Sequence, residues 1–82
     1  MILAIVRGVI AVYPRIRDLR EDKDLNQTQV AKMLGMSQTG YSKYETGEND
    51  IPTQVLIQLA RYYNTSIDYL LGETRERKRY PK

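Results

Sequence analysis

The chain has 82 residues, of which 41% are hydrophobic, and carries 13 Lys and Arg against 10 Asp and Glu for a formal net charge of +3. That is one domain, near the lower size limit for folding without staples. It contains no cysteine and no histidine. Disulfides and thiolate metal sites are thereby excluded, and the commonest general base and metal ligand is missing. Without a phosphate-cradling glycine loop, a metal cluster or a nucleophile–base pair, the chain is not expected to be an enzyme or to carry a cofactor or metal.

The charge is uneven. Residues 1–72 hold eight basic and eight acidic side chains, whereas residues 73–82 hold five basic ones (Arg75, Arg77, Lys78, Arg79 and Lys82) and two acidic. The folded part is therefore expected to be neutral. The excess sits on a basic flexible tail, which suits a polyanion partner and equally reads as a solvated chain end.

In chain order, MILAIVRGVIAVY comes first, apolar except at Arg7 and Gly8. It is too short to span a bilayer, for which about 20 residues are needed. Its charge is central and no small-residue cleavage site follows, unlike a signal peptide. No membrane association is expected, and the cytoplasm is the expected compartment. Residues 1–12 read either as an extended apolar arm, rich in Ile and Val and able to pair with a second copy, or as a loosely ordered leader.

The first helix is expected near Pro14, since proline is tolerated in a first helical turn. Ile16, Leu19 and the stem of Arg20 share one face, and a polar run from Glu21 to Asp24 leads into a bend. The second helix has a clear entry signal, Asn26 as cap and Gln29 three residues on. Val30, Ala31 and Leu34 form its inner face. Gly35 ends it where a left-handed residue is needed, Met36 fills the core and Ser37 is the next cap. A link of about three residues forces a steep crossing, and Ala31 keeps the two helices close.

The third helix is expected from about Gln38 to Glu45. Tyr41 and Tyr44 point inward, so Gln38, Thr39, Ser42 and Lys43 point elsewhere. Gly40 interrupts it, at a cost of about 1 kcal/mol relative to alanine; it reads either as room for a close backbone approach or as an accident. Thr46-Gly47 ends the helix, and a loop leads to Pro52. A fourth helix buries Val55, Leu56, Leu59, Ala60 and Tyr63, and Asn64 closes it. Ser66 caps a short fifth, whose Ile67, Leu70 and Leu71 cover the core before Gly72. Tyr41, Tyr44, Tyr62 and Tyr63 are expected to pack in the core rather than stack on nucleobases. The fold class is thus all-α, a bundle of five short helices.

With these elements in place, residues 13–72 resemble the Cro/phage-repressor (Xre-like) helix-turn-helix family. The segments that carry the likeness are RIRDLREDKDLNQTQVAKMLGMSQTGYSKYETGE and IPTQVLIQLARYYNTSIDYLLG. The resemblance implies a lambda-repressor-like domain that binds double-stranded DNA as a transcriptional regulator, with the third helix in the major groove.

It also implies roles for residues. Gln38, Thr39, Ser42 and Lys43 would contact bases: Gln38 can pair with N6 and N7 of adenine, and Lys43 with O6 and N7 of guanine. Gln27 would give its side chain or backbone N–H to a phosphate at the start of the second helix, and Asn49 would hold a second phosphate or simply turn the loop. Arg20 paired with Glu45, together with Ala31 and Gly35, would support the reading helix. Glu48 and Asp50 depart from the family, whose members often offer basic residues there; the tail arginines would compensate.

The leading expectation is a repressor acting as a homodimer on a two-fold operator, with Tyr69, Leu70 and Leu71 or the apolar arm at the dimer surface. The competing one is an antitoxin or adaptor that uses the same fold to bind a toxin or a protein antagonist.

Overall fold

The computed structural model describes residues 12–79. Five helices follow one another: α1 (Pro14–Asp22), α2 (Gln27–Leu34), α3 (Gln38–Thr46), α4 (Thr53–Tyr62) and α5 (Ile67–Leu71). No strand occurs among the described residues. The expected apolar arm lies outside them except for Val12, which is exposed.

Each helix boundary has a chemical cause. Pro14 occupies the first turn of α1. Lys23 closes that helix, and the chain turns away from it at Asp24, whose φ of 56° places a non-glycine residue in the left-handed region. Asp is among the few side chains that tolerate this, and the sequence pattern suggests only a bend there. At α2, the Asn26 side chain accepts from the Gln29 N–H at 2.8 Å while Gln29 Oε1 accepts from the Asn26 N–H at 2.8 Å, a reciprocal capping box. Gly35 ends α2 with φ 73°, and a Cβ there would meet nothing within 4 Å. The glycine therefore serves backbone conformation rather than space.

Ser37 caps α3 and Ser66 caps α5 through their hydroxyls. Pro52 is the cap of α4, extended in backbone, so the helix itself opens at Thr53.

Packing follows the apolar stripes. α3 lies on α2, α1 on α3 and α5, and α4 on α5. Ile16, Leu19, Val30, Ala31, Tyr41, Leu59 and Leu70 are each no more than 1% exposed and form the centre, with Ile51, Leu56, Ala60 and Tyr63 around it. Burying a Leu or Ile of this kind contributes about 1.5–3 kcal/mol. Met36 and Tyr44 are half-buried at the edge, where the Tyr44 ring meets Tyr41 edge-on at 6.3 Å. Tyr62 departs from the expected core set. It is 42% exposed and only leans its ring on Tyr63, because the last turn of α4 carries it out of the stripe.

Candidate nucleic-acid interface

The α2–α3 unit presents the start of α3 outward. Gln38 and Thr39 are exposed, and Ser42 and Lys43 are half-buried. Offsets of one, four and five residues from Gln38 put these side chains on neighbouring strips of one helix face. Tyr41 on the opposite face is fully buried. This is the division that the sequence pattern predicts.

Beneath that face lies a polar cluster organised by Glu45, whose side chain is 4% exposed. Its Oε2 accepts from Arg20 Nε at 2.7 Å and from the Tyr41 hydroxyl at 2.6 Å. Its Oε1 accepts from Arg20 Nη2 at 3.0 Å and from Gln27 Nε2 at 3.0 Å. Four donors thus satisfy both oxygens, and Arg20 binds as a two-pronged fork. The third nitrogen of Arg20 donates to the Leu25 carbonyl at 2.8 Å, which ties the α1–α2 bend to the same cluster.

The electrostatics follow from this geometry. Burial alone would raise the Glu45 carboxyl, but hydrogen bonds from Arg20, Tyr41 and Gln27 outweigh it and hold the group below its ordinary value of 4.5. Burial, then the hydrogen bond to Glu45, pushes the Tyr41 hydroxyl well above its ordinary range.

One further bond carries this order to the surface. Gln27 Oε1 accepts from Gln38 Nε2 at 2.6 Å. The direction of the whole relay is fixed by the carboxylate, which can only accept. Glu45 takes an N–H of Gln27, so Gln27 turns its carbonyl toward Gln38. Gln38 spends one N–H on that carbonyl and retains its own carbonyl plus a second N–H.

The sequence-derived residues fall into three groups. Arg20, Gln27, Gln38 and Glu45 are brought into one hydrogen-bonded chain, with Thr39, Ser42 and Lys43 beside its outer end. Ala31, 1% exposed, lies in the core beneath the α2–α3 contact, and Gly35 makes the turn. Asn49 is an exposed residue of the loop after α3, where its backbone N–H donates to the Lys43 carbonyl at 3.1 Å.

Of the suggested dimer residues, Leu70 needs correction. Leu70 is 1% exposed and belongs to the core of the monomer, so it offers no surface to a second chain. The Tyr69 ring is covered by the Arg15 guanidinium at 4.0 Å, and Leu71 is half-buried against the core.

The role of the Tyr41 hydroxyl is absent from the sequence expectations. Its four-residue offset from Glu45 is the signal that points to it. The Arg15–Tyr69 contact, across 54 positions, has no local signal.

No group of acidic side chains able to hold a metal ion occurs among the described residues. No described helix is long and apolar enough to cross a membrane.

Comparison with known proteins agrees with this fold. A helix-turn-helix family model matches residues 16–70. A HTH-type transcriptional regulator of Bacillus subtilis strain 168, YobD, is 38% identical over 60 residues, covering 73% of this chain and 54% of its own length. The cryptic phage CTXphi transcriptional repressor RstR of Vibrio cholerae is 35% identical over 60 residues, with the same two coverages of 73% and 54%. The chain thus spans about half the length of these curated relatives. In structure, it is similar to the P22 c2 repressor in complex with the synthetic operator 9T, with a TM-score of 0.69 at 29% identity, covering 78% of this chain and 98% of that one. The fold is the lambda-repressor-like one, and the chain belongs to the Cro/phage-repressor (Xre-like) helix-turn-helix family of DNA-binding transcriptional regulators.

Proposed function

We propose that this chain represses transcription by binding a two-fold symmetric operator as a homodimer, with α3 in the major groove of each half-site. The observation that carries the reading is the relay from Glu45 through Gln27 to Gln38. It leaves Gln38 with one acceptor and one donor, the pair that matches N6 and N7 of adenine. Thr39 offers a methyl and a hydroxyl beside it. Ser42 and Lys43 extend the same face, with Lys43 directed to guanine. The P22 c2 repressor, similar in fold, is described on an operator, which supports the same docking here.

Phosphates are held at the helix start and the loop. Gln27 commits one amide hydrogen and its carbonyl within the protein. Its second amide hydrogen and its backbone N–H in the first turn of α2 serve the phosphate, where the helix dipole favours an anion. Asn49 holds the next phosphate through its exposed side chain.

One α3 reads too few base pairs to define a site. Two copies on half-sites about 34 Å apart supply the rest. The basic residues 75–79 add salt-dependent affinity to an otherwise neutral domain.

The test is selection of duplex DNA from a random library, then titration of the winner against a scrambled duplex at two salt concentrations. A two-fold symmetric winner with a large margin over the scramble is expected. Sequence-blind binding that vanishes with salt would reject the operator reading and redirect the search to a protein partner.

A further inference from the structure

Glu45 communicates with the outer face of α3 through one oxygen. Its Oε2 is filled by Arg20 Nε and the Tyr41 hydroxyl. Its Oε1 takes Arg20 Nη2 and one N–H of Gln27, so this second oxygen alone leads toward Gln38. The Glu45 side chain is 4% exposed, whereas Gln38 at the other end of the relay is open to solvent. Glu45 thus acts on the start of α3 without reaching it.

A primary amide has two ends of opposite hydrogen-bonding sense, and a rotation of about 180° exchanges them with almost no change of shape. Gln27 and Gln38 therefore have two self-consistent arrangements. In the observed one, Gln27 gives an N–H to Glu45 and turns its carbonyl to Gln38 Nε2. Gln38 then shows a carbonyl and one N–H outward, the pattern for N6 and N7 of adenine. In the reversed arrangement, Gln27 gives its N–H to the Gln38 carbonyl. Gln38 then keeps both N–H groups for the base, the pattern for the two acceptors O6 and N7 of guanine. Shape does not choose between the two.

The carboxylate does choose. It has no hydrogen to give, and the reversed arrangement sets the Gln27 carbonyl against it. Against the effect of burial, hydrogen bonds from Arg20, Tyr41 and Gln27 hold the Glu45 carboxyl below 4.5, so the charge is present at neutral pH.

We propose that Glu45 is a specificity-determining residue: its fixed acceptor sense, passed through Gln27, makes Gln38 a reader of adenine rather than guanine. The inference rests on the operator reading above and adds to it a positioning residue that sets the base without touching DNA. A purely structural Glu45 would hold α3 in place and affect every duplex alike.

The experiment uses the full chain and the selected duplex, with A·T or G·C at the base pair where Gln38→Ala alone loses preference. The readout is the ratio of the two affinities. Three variants are titrated after circular dichroism has checked their fold. Glu45→Gln keeps the shape of the side chain but gives it an N–H2 end, so Gln27 is received in either sense. Glu45→Gln combined with Gln27→Glu moves the carboxylate one step outward, where it again can only accept from Gln38. Gln27→Met cuts the relay and leaves the Arg20–Glu45 fork intact, so it decides the matter if the buried substitutions fail to fold.

Glu45→Gln is expected to cut the preference for A·T over G·C about tenfold, with preferences at other positions unchanged. Gln27→Met should do the same. The double variant should restore the parental ratio while weakening every duplex, because a carboxylate then stands beside the phosphate. The proposal is overturned if a folded Glu45→Gln keeps the parental ratio, or if the double variant stays as relaxed as Glu45→Gln. It is also overturned if Gln27→Met still prefers adenine as the parent does, or if Gln38→Ala alters no position. Failure of the operator reading looks different: the parent itself then binds the selected duplex no better than its scramble.

Discussion

Gln38 at the start of α3 donates to Gln27 at the start of α2 at 2.6 Å, and Gln27 in turn donates to the buried Glu45. The two glutamines therefore do not act separately. From sequence, Gln27→Ala is expected to weaken all DNA sites alike and Gln38→Ala to relax preference at one position. The relay changes the first expectation. Gln27→Ala should weaken every duplex and, in addition, lose part of the discrimination at the base pair proposed for Gln38. Gln38→Ala should lose about 1–3 kcal/mol there and little elsewhere. Titration against the selected duplex and its single-base variants checks both. A uniform loss for Gln27→Ala would mean that Gln38 holds its geometry unaided, and uniform losses for Gln38→Ala would remove it as a reader.

The fork between Arg20 and Glu45 ties α1 to the end of α3, and the role proposed for it is to orient α3 without touching DNA. Arg20→Ala leaves a buried carboxylate with two of its four donors gone, at a cost of about 3–5 kcal/mol, a large share of the 5–15 kcal/mol typical of a small domain. Tyr41→Phe removes one charge-assisted bond from the same carboxylate and should cost about 1.5–3 kcal/mol. Denaturant unfolding gives both values. Operator affinity should fall in step with stability. Arg20→Ala with unchanged melting and lost binding would instead make Arg20 a direct DNA contact.

The parts of this architecture written locally are legible in the sequence. Asn26 with Gln29, Ser37, Gly35 and Ser66 act within a few residues of themselves, so their caps and turns follow from spacing alone. Val30 and Ala31, or Leu56 and Leu59, announce a buried face by period. The outward face of α3 follows by subtraction once Tyr41 is placed inside. Contacts between distant elements are less legible. The return of residues 73–79 onto the helices needs Thr65 and Arg77 to meet across 12 positions and Arg15 and Thr74 across 59, which no period encodes. Leu70 fits an apolar surface as well as a core by composition, and only the packing of α5 on α1 and α4 decides that it is inside. Tyr62 and Tyr63 are adjacent and alike, and a rotation of one helical step exposes one and buries the other.

The acid limb of stability should be set in part by Glu45. Its carboxyl is held below 4.5 in the folded state, so the stabilisation is present above that value and is lost as pH falls through the folded one. Thermal melts in acid should show a steep loss that is reduced in Glu45→Gln, which starts lower but titrates less. At the other end, burial raises the hydroxyls of Tyr41 and Tyr63 above 10.0. The stability this represents is present below 10.0 and is lost as pH rises beyond it. Parallel acid limbs in the parent and Glu45→Gln would show that other carboxylates govern the transition.

Gly40 has a structural reason for lacking a side chain. A Cβ on it would lie 3.0 Å from Met36 Cε and 3.1 Å from Ser37 Oγ. The Ser37 oxygen is fixed because it caps α3 by accepting from the Gly40 N–H at 3.0 Å. The Met36 methyl ends a flexible chain and can move. Gly40→Ala therefore gains helix propensity of about 1 kcal/mol but must crowd the cap and displace the methyl. The net change in unfolding free energy should be smaller than that gain, and Gly40→Val should be clearly destabilising. Chemical denaturation measures stability, and titration with the selected duplex measures DNA binding. If the glycine serves packing, Gly40→Ala binds DNA nearly as the parent does. A large loss of affinity in a protein of unchanged stability would mean instead that the backbone of α3 must approach the DNA closely at this position.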